Sequence, residues 1–109
     1  MSAYPWAEIS SGAFTEEAIR ELFPAAEGYR FFPNRYNAGV KFSGKLSRAG
    51  RVYVFEGSCT YHTDAGPVHV KAGEYADLSP GAYEFEVSAE LPVRLMKVYK
   101  LPELAGKTG

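Results

Sequence analysis

The side chains able to do chemistry in this chain are few, and their types and spacing narrow what that chemistry is. Its two histidines, His62 and His69, flank the loop Thr63-Asp64-Ala65-Gly66-Pro67. Imidazole is a good ligand for zinc, iron or nickel, so a shared divalent metal is one reading. With a loop centred on Ala65, however, His62 pairs with Val68 and His69 with Tyr61, and the two rings point to opposite faces of the hairpin. Only a register shifted by one brings them together. The expectation is therefore no metal and two surface or half-buried histidines, with His62 and His69 as the alternative metal pair. Asp64 reads as a turn residue.

Tyrosine supplies both apolar area and a hydroxyl, so Tyr36, Tyr53, Tyr61, Tyr75, Tyr83 and Tyr99 are candidates to line a pocket, with ordinary packing the plainer role for most of them. Arg51, Arg94 and Lys45 have the charge to hold a carboxylate or phosphate, and each also suits a solvated strand position. Cys59 is the only cysteine, so no intrachain disulfide can form. With no histidine at a suggestive spacing, it reads as a small buried hydrophobe rather than a nucleophile. The sequence contains no Gly-rich phosphate loop, paired-cysteine zinc pattern or nucleophile elbow.

The elements that must position these groups are short strands. Thr15 can cap a helix whose first turn carries Glu16 and Glu17, with Ile19, Leu22 and Phe23 on one face and Pro24 as its stop. Beyond it the period changes to two. Val40, Phe42 and Gly44 alternate with Lys41, Ser43 and Lys45. Arg51–Phe55, Ser58–His62, Val68–Lys71 and Tyr75–Leu78 follow, separated by turn signals. In Tyr83–Ser88 the apolar set Tyr83, Phe85 and Val87 alternates with Glu84, Glu86 and Ser88, and Val93–Leu101 is the last strand. Turns every eight to twelve residues predict an all-β sandwich or barrel. A length of 109 residues allows one hydrophobic core. An apolar fraction of 46% with 23% charged residues marks a globular chain rather than a disordered one. A net charge of −1 gives no field to gather nucleic acid, and no aromatic run carries a basic stripe. No apolar run approaches a membrane span, and Met1–Trp6 lacks the basic and apolar parts of a signal peptide, so a cytoplasmic location is expected.

The order of these signals resembles the cupin superfamily. The stretch Val52-Tyr53-Val54-Phe55-Glu56-Gly57, the hairpin at Asp64-Ala65-Gly66, Val68-His69-Val70-Lys71-Ala72-Gly73-Glu74, and then Leu78-Ser79-Pro80-Gly81 match the family's sequence of corners. The resemblance covers roughly Lys41 to Leu101. It implies a jelly-roll β-barrel with one short N-terminal helix: residues 1–28 form an N-terminal segment, 29–101 the barrel and 102–109 a flexible tail. It also implies where a divalent metal would sit. Counted back from Gly57, the glutamate position falls on Gly50 and the histidine positions on about Lys45 and Ser43. Counted forward from Gly81, the second-motif histidine falls on Glu84, whereas strand alternation would turn Tyr83 inward instead. None of these is a usual set of metal ligands.

The functional expectation follows from that substitution. A small polar or aromatic metabolite is expected in the barrel without the family's metal, with Ser43, Tyr53, Arg51, Arg94 and Tyr99 as candidate contacts. The alternative is a metal-independent isomerase or epimerase in which Lys45, Glu84 and Tyr83 (or Tyr53) do acid–base work in the space a metal would fill. A metal-dependent dioxygenase type with rearranged ligands is a third reading. Partners are a small molecule and a second copy of the chain, because the apolar N-terminal segment suits packing across subunits; nucleic acid and membrane are not expected.

Overall fold

The computed structural model describes residues 3–23 and 27–100. Pro24 as a helix stop, Leu101 as a strand end and the tail from Pro102 lie outside the described residues. Among the described residues nine strands run in chain order: β1 (Ala3–Pro5), β2 (Tyr29–Tyr36), β3 (Lys41–Leu46), β4 (Gly50–Glu56), β5 (Ser58–Thr63), β6 (Gly66–Lys71), β7 (Glu74–Leu78), β8 (Gly81–Val87) and β9 (Val93–Lys100). A 3-10 turn (Trp6–Glu8) and the helix α1 (Glu16–Leu22) lie between β1 and β2. The strands form a five-stranded sheet, β1-β7-β4-β9-β2, and a four-stranded sheet, β3-β8-β5-β6. This is the two-sheet jelly-roll arrangement; among the described residues the sheets face each other without closing into one hydrogen-bonded cylinder.

Alternation decides what each strand turns inward. Val52 and Val54 of β4, Cys59 and Tyr61 of β5, Val68 and Val70 of β6, Phe85 and Val87 of β8, and Val93 and Leu95 of β9 fill the space between the sheets. The strand β4 is buried on both faces. Its other set, Tyr53 with the half-buried Phe55, lies in a second apolar cluster with Trp6, Ile19, Tyr75, Met96 and Val98. That cluster forms because the N-terminal segment folds over the outside of the five-stranded sheet. Trp6 is only 5% exposed, its ring is 5.1 Å from Phe14, and its indole Nε1 donates to the Gly12 carbonyl at 3.0 Å. The strand β1 pairs with β7 of the same chain.

Local chemistry explains the remaining elements. Thr15 caps α1 as expected, its Oγ1 accepting from the Ala18 N–H at 3.1 Å. A helix of seven residues cannot stand alone, and fully buried Ile19 is what docks it. Leu22, expected on the same face, is 46% exposed because the helix touches the sheet along a narrow stripe. Pro33 and Asn34 lie within a continuous β2; this is the outermost strand of its sheet, where a missing N–H is tolerated. Gly57, after Glu56, has a positive φ of 77°, and a Cβ there would collide with the Pro92 carbonyl oxygen, so the Glu-Gly corner needs a residue without a side chain.

The β5–β6 hairpin corrects the expected register. Its loop is the two residues Asp64 and Ala65, with Thr63 opposite Gly66, His62 opposite Pro67 and Thr60 opposite His69. Thr63 Oγ1 fixes this turn, donating to the Gly66 carbonyl at 2.8 Å and accepting from the Ala65 N–H at 3.2 Å. Both histidines therefore point to the same, outer face.

Candidate functional site

Sharing a face does not make the histidines a metal site. His62 Nε2 donates to Glu86 Oε1 at 3.0 Å, and His69 Nδ1 lies 3.0 Å from Thr60 Oγ1. Glu86 also pairs with Lys41 at 3.9 Å; the hydrogen bond from His62, and then the Lys41 charge, hold its carboxyl below the usual range. Among the described residues no three His, Cys, Asp or Glu side chains converge as a cation would need.

The positions at which the cupin resemblance implies metal ligands do not fit a cation either. Ser43 and Lys45 lie on the outer face of β3, exposed, because Phe42 and Leu46 take the inner one. Gly50 faces inward, but the Tyr99 ring occupies the space a side chain there would take. On β8 the alternation prevails over the counted spacing: Tyr83 packs against the interior, while Glu84 is exposed and pairs with Ser43 in the ladder. Lys45 and Glu84 are thus not brought together in the interior with Tyr83. Ser43 and Glu84 instead line an open outer groove with His62 and Glu86.

The other candidate contacts also separate by face. Arg51 lies outside, paired with Asp77 at 2.7 Å and stacked over the Tyr75 ring at 4.6 Å. Arg94 lies outside over Phe55 and pairs with Glu56 at 3.1 Å. Tyr53 and Tyr75 belong to the cluster under the N-terminal segment, and burial raises the Tyr53 hydroxyl's pKa. Tyr36, Tyr61, Tyr83 and Tyr99 pack into the interior.

What the interior contains besides tyrosine is Lys97. It follows Leu95 on the inner face of β9, opposite Val52 of β4, and it is half-buried. Its Nζ lies 5.7 Å from the Tyr83 ring centroid and 5.9 Å from that of Tyr61. Burial lowers the Lys97 pKa from its ordinary 10.5. Because the unfolded chain holds that proton more tightly, the cation opposes folding at neutral pH, and this cost fades as the pH rises through the folded value toward the unfolded one.

Around Lys97 the neutral forms of its neighbours are favoured. Burial pushes the Cys59 thiol up to about 12, against the pull of Lys97, and the Tyr99 hydroxyl up to about 12. Burial drives Tyr61 further, well above the phenol range. Tyr61 is fully buried, its ring 5.0 Å from Phe85 and 5.5 Å from Tyr83, and its hydroxyl has no hydrogen-bond partner among the described residues. A buried hydroxyl without a partner is costly and calls for an explanation.

Tyr61 and Tyr83 also line a partly open cavity of about 130 Å³ at the end of the sandwich, bounded by Leu46, Leu78, the Asp64-Ala65 hairpin tip and the Ser79-Pro80 turn. A closed apolar cavity of about 150 Å³ accommodates benzene, which sets the scale of an occupant. Tyr83 takes its place there because Gly44, directly opposite on β3, leaves the volume its hydroxyl end fills. Sequence reasoning missed Lys97. Its signal was a single lysine at the centre of a strand with Leu95 and Tyr99 two residues away and Met96 and Val98 on the opposite face: a charge inside a run that is apolar on both sides.

No family model matches the sequence, and no curated protein matches it. Solved structures do. The cupin_2 domain of an XRE family transcriptional regulator from Enterobacter cloacae superposes with a TM-score of 0.63 at 15% identity, over 75% of this chain and 93% of that one. A protein named ethanolamine utilization protein Q from Salmonella typhimurium gives 0.61 at 17% identity, over 69% and 59%. A sugar phosphate isomerase of the cupin superfamily from Silicibacter pomeroyi gives 0.56 at 18% identity, over 69% and 52%. The chain thus spans less than two thirds of the length of the last two. At these identities the likeness carries the fold alone. Together with the two-sheet jelly roll and its turn pattern, it establishes that this chain has the cupin fold.

Proposed function

We propose that this chain binds a small polar metabolite, about the size of a benzene ring, at the Tyr61–Tyr83 end of the sandwich interior, without a metal. The observation that carries this reading is the Tyr61 hydroxyl, buried and unpartnered, on a ring that both flanks Lys97 and lines the cavity. A ligand oxygen accepting from that hydroxyl would satisfy it, and the faces of Tyr61 and Tyr83 suit a flat or apolar body. The outer groove is a poorer host: it is open, and Lys41 and His62 are already engaged by Glu86 there. The structural neighbours include both a regulator's domain and an isomerase, so the fold leaves the choice to the site.

The test is a thermal-shift panel of oxo acids, hydroxy acids, phenols and small aromatic carboxylates, run on the native chain and four variants. At least one compound is expected to stabilise the native chain, by about 2.7 kcal/mol when present at a hundredfold excess over Kd. The response is expected to vanish in Lys97→Met and Tyr61→Phe and to persist in Lys45→Ala and Glu84→Ala. A response that persists in Lys97→Met but disappears in Lys45→Ala or Glu84→Ala would move the site to the outer face and overturn the reading.

A further inference from the structure

We infer that the recess between the outer strands β2 and β3 is a second binding site, for a phosphate monoester that carries a flat ring. It is independent of the interior site proposed above. The recess has a volume of about 200 Å³ and is lined by Phe32, Lys45, Leu46, Ser47, Arg48 and Tyr99. Three features carry the inference. Lys45 and Arg48 both border it, and among the described residues neither has an acidic partner, whereas Arg20, Lys41, Arg51 and Arg94 all do. Phe32 lies on the inner face of β2, opposite Lys97 in the ladder, and is nonetheless 46% exposed. Its ring meets that of Tyr99 at 5.7 Å and 61°, so the two present an aromatic corner beside the cations.

The local sequence explains the arrangement. β2 and β3 are the outermost strands of their sheets, so no further strand covers Phe32 from the side. Gly50 leaves room for the Tyr99 ring, which a Cβ there would strike. The connection from β3 to β4 (residues 47–49) brings Ser47 and Arg48 to the same rim as Lys45. Arg48 Nη1 donates to the Lys100 carbonyl at 3.3 Å, which ties the guanidinium to the end of β9 and leaves its Nε and Nη2 hydrogens for a ligand. Two cations without acidic partners match the charge of a phosphate monoester, about −1.5 to −2 at neutral pH. A monocarboxylate would leave one of them uncompensated. The planar fork of arginine suits two phosphate oxygens, lysine supplies a point charge, and the Ser47 hydroxyl is a further donor. The recess is larger than the roughly 150 Å³ that hold benzene. It is also open on one side, so a ring can stack on Phe32 with its phosphate at the charged rim.

The test is isothermal titration calorimetry on the full chain with phenyl phosphate and with adenosine monophosphate, against inorganic phosphate and glycerol phosphate, which have no ring. At least one ring-bearing ester is expected to bind, about fivefold more tightly than either ringless phosphate, and more weakly as sodium chloride rises. Lys45→Ala and Arg48→Ala are each expected to weaken it about tenfold, the loss of one charge-assisted hydrogen bond. Phe32→Ala is expected to bring the ester down to the level of inorganic phosphate and to leave inorganic phosphate unchanged. An unchanged urea transition shows that each variant folds. Tighter binding of adenosine monophosphate assigns the flat body to a nucleoside, and tighter binding of phenyl phosphate assigns it to a compact aryl ester. The panel for the interior site contains no phosphate ester, so the two sites are read separately, and Tyr61→Phe is expected to leave the ester's affinity unchanged. Loss of binding in Tyr61→Phe would place the ester in the interior and overturn the second site. No binding of either ester, equal binding of ringed and ringless phosphates, or binding that ignores both Lys45→Ala and Arg48→Ala overturns it as well.

Discussion

Trp6→Ala is expected to lower the unfolding free energy by about 3–5 kcal/mol, the range for truncating a buried large aromatic. Trp6 is 5% exposed and sits 5.1 Å from Phe14 and 6.0 Å from Tyr53, ring to ring. Truncation removes the indole hydrogen bond to Gly12 and leaves a void between the N-terminal segment and the outside of the five-stranded sheet. Because that cluster contains Tyr53, Met96 and Val98 from β4 and β9, the loss reaches the strand that carries Lys97. Urea denaturation followed by tryptophan-independent far-UV circular dichroism measures it. A loss below about 1 kcal/mol, the scale of a surface substitution, would mean that the segment is not docked as the structure has it.

Tyr61→Phe is expected to act in the opposite direction, raising stability by about 1–3 kcal/mol while abolishing the ligand response. The ring packing on Phe85 and Tyr83 survives the change, and only the unpartnered hydroxyl is lost. A substitution that stabilises the empty protein and removes binding is the signature of a polar group retained for function at the expense of the fold. Both quantities come from one set of urea transitions with and without the stabilising compound. If Tyr61→Phe instead destabilises the chain, the hydroxyl is satisfied in the ligand-free protein, by a buried water for example, and it is not waiting for a ligand.

The sequence is legible where one face of a strand is buried and the other is not. Tyr83, Phe85 and Val87 alternate with Glu84 and Glu86, and the structure buries Phe85 and Val87, with Tyr83 packed beside them. Counting from Pro80-Gly81 chose Glu84 instead, because a family spacing takes no account of the pleat. The histidines show how little separates two readings. Placing the loop on Asp64-Ala65 rather than around Ala65 alone moves His69 from one face of the hairpin to the other. Tyr53 and Arg51 were drawn into the interior because β4 is apolar on both faces, and nothing local says that Trp6 and Ile19 will cover the outer one. Lys97 was overlooked for the converse reason: a charged residue in a strand reads as solvent-facing, and only its neighbours two positions away, Leu95 and Tyr99, mark the inner face.

The most direct test of Lys97 as the buried cation of the interior is a pH titration of the chain labelled at lysine 13Cε, followed by NMR, with the Lys97 signal assigned by its disappearance in Lys97→Arg. Lys97 is expected to lose its proton below the ordinary lysine value of 10.5, because burial disfavours the ammonium. Its signal is also expected to be the one that moves most when the stabilising compound from the panel is added. A Lys97 signal that titrates at 10.5 and ignores that compound would contradict both the burial and the role assigned to it.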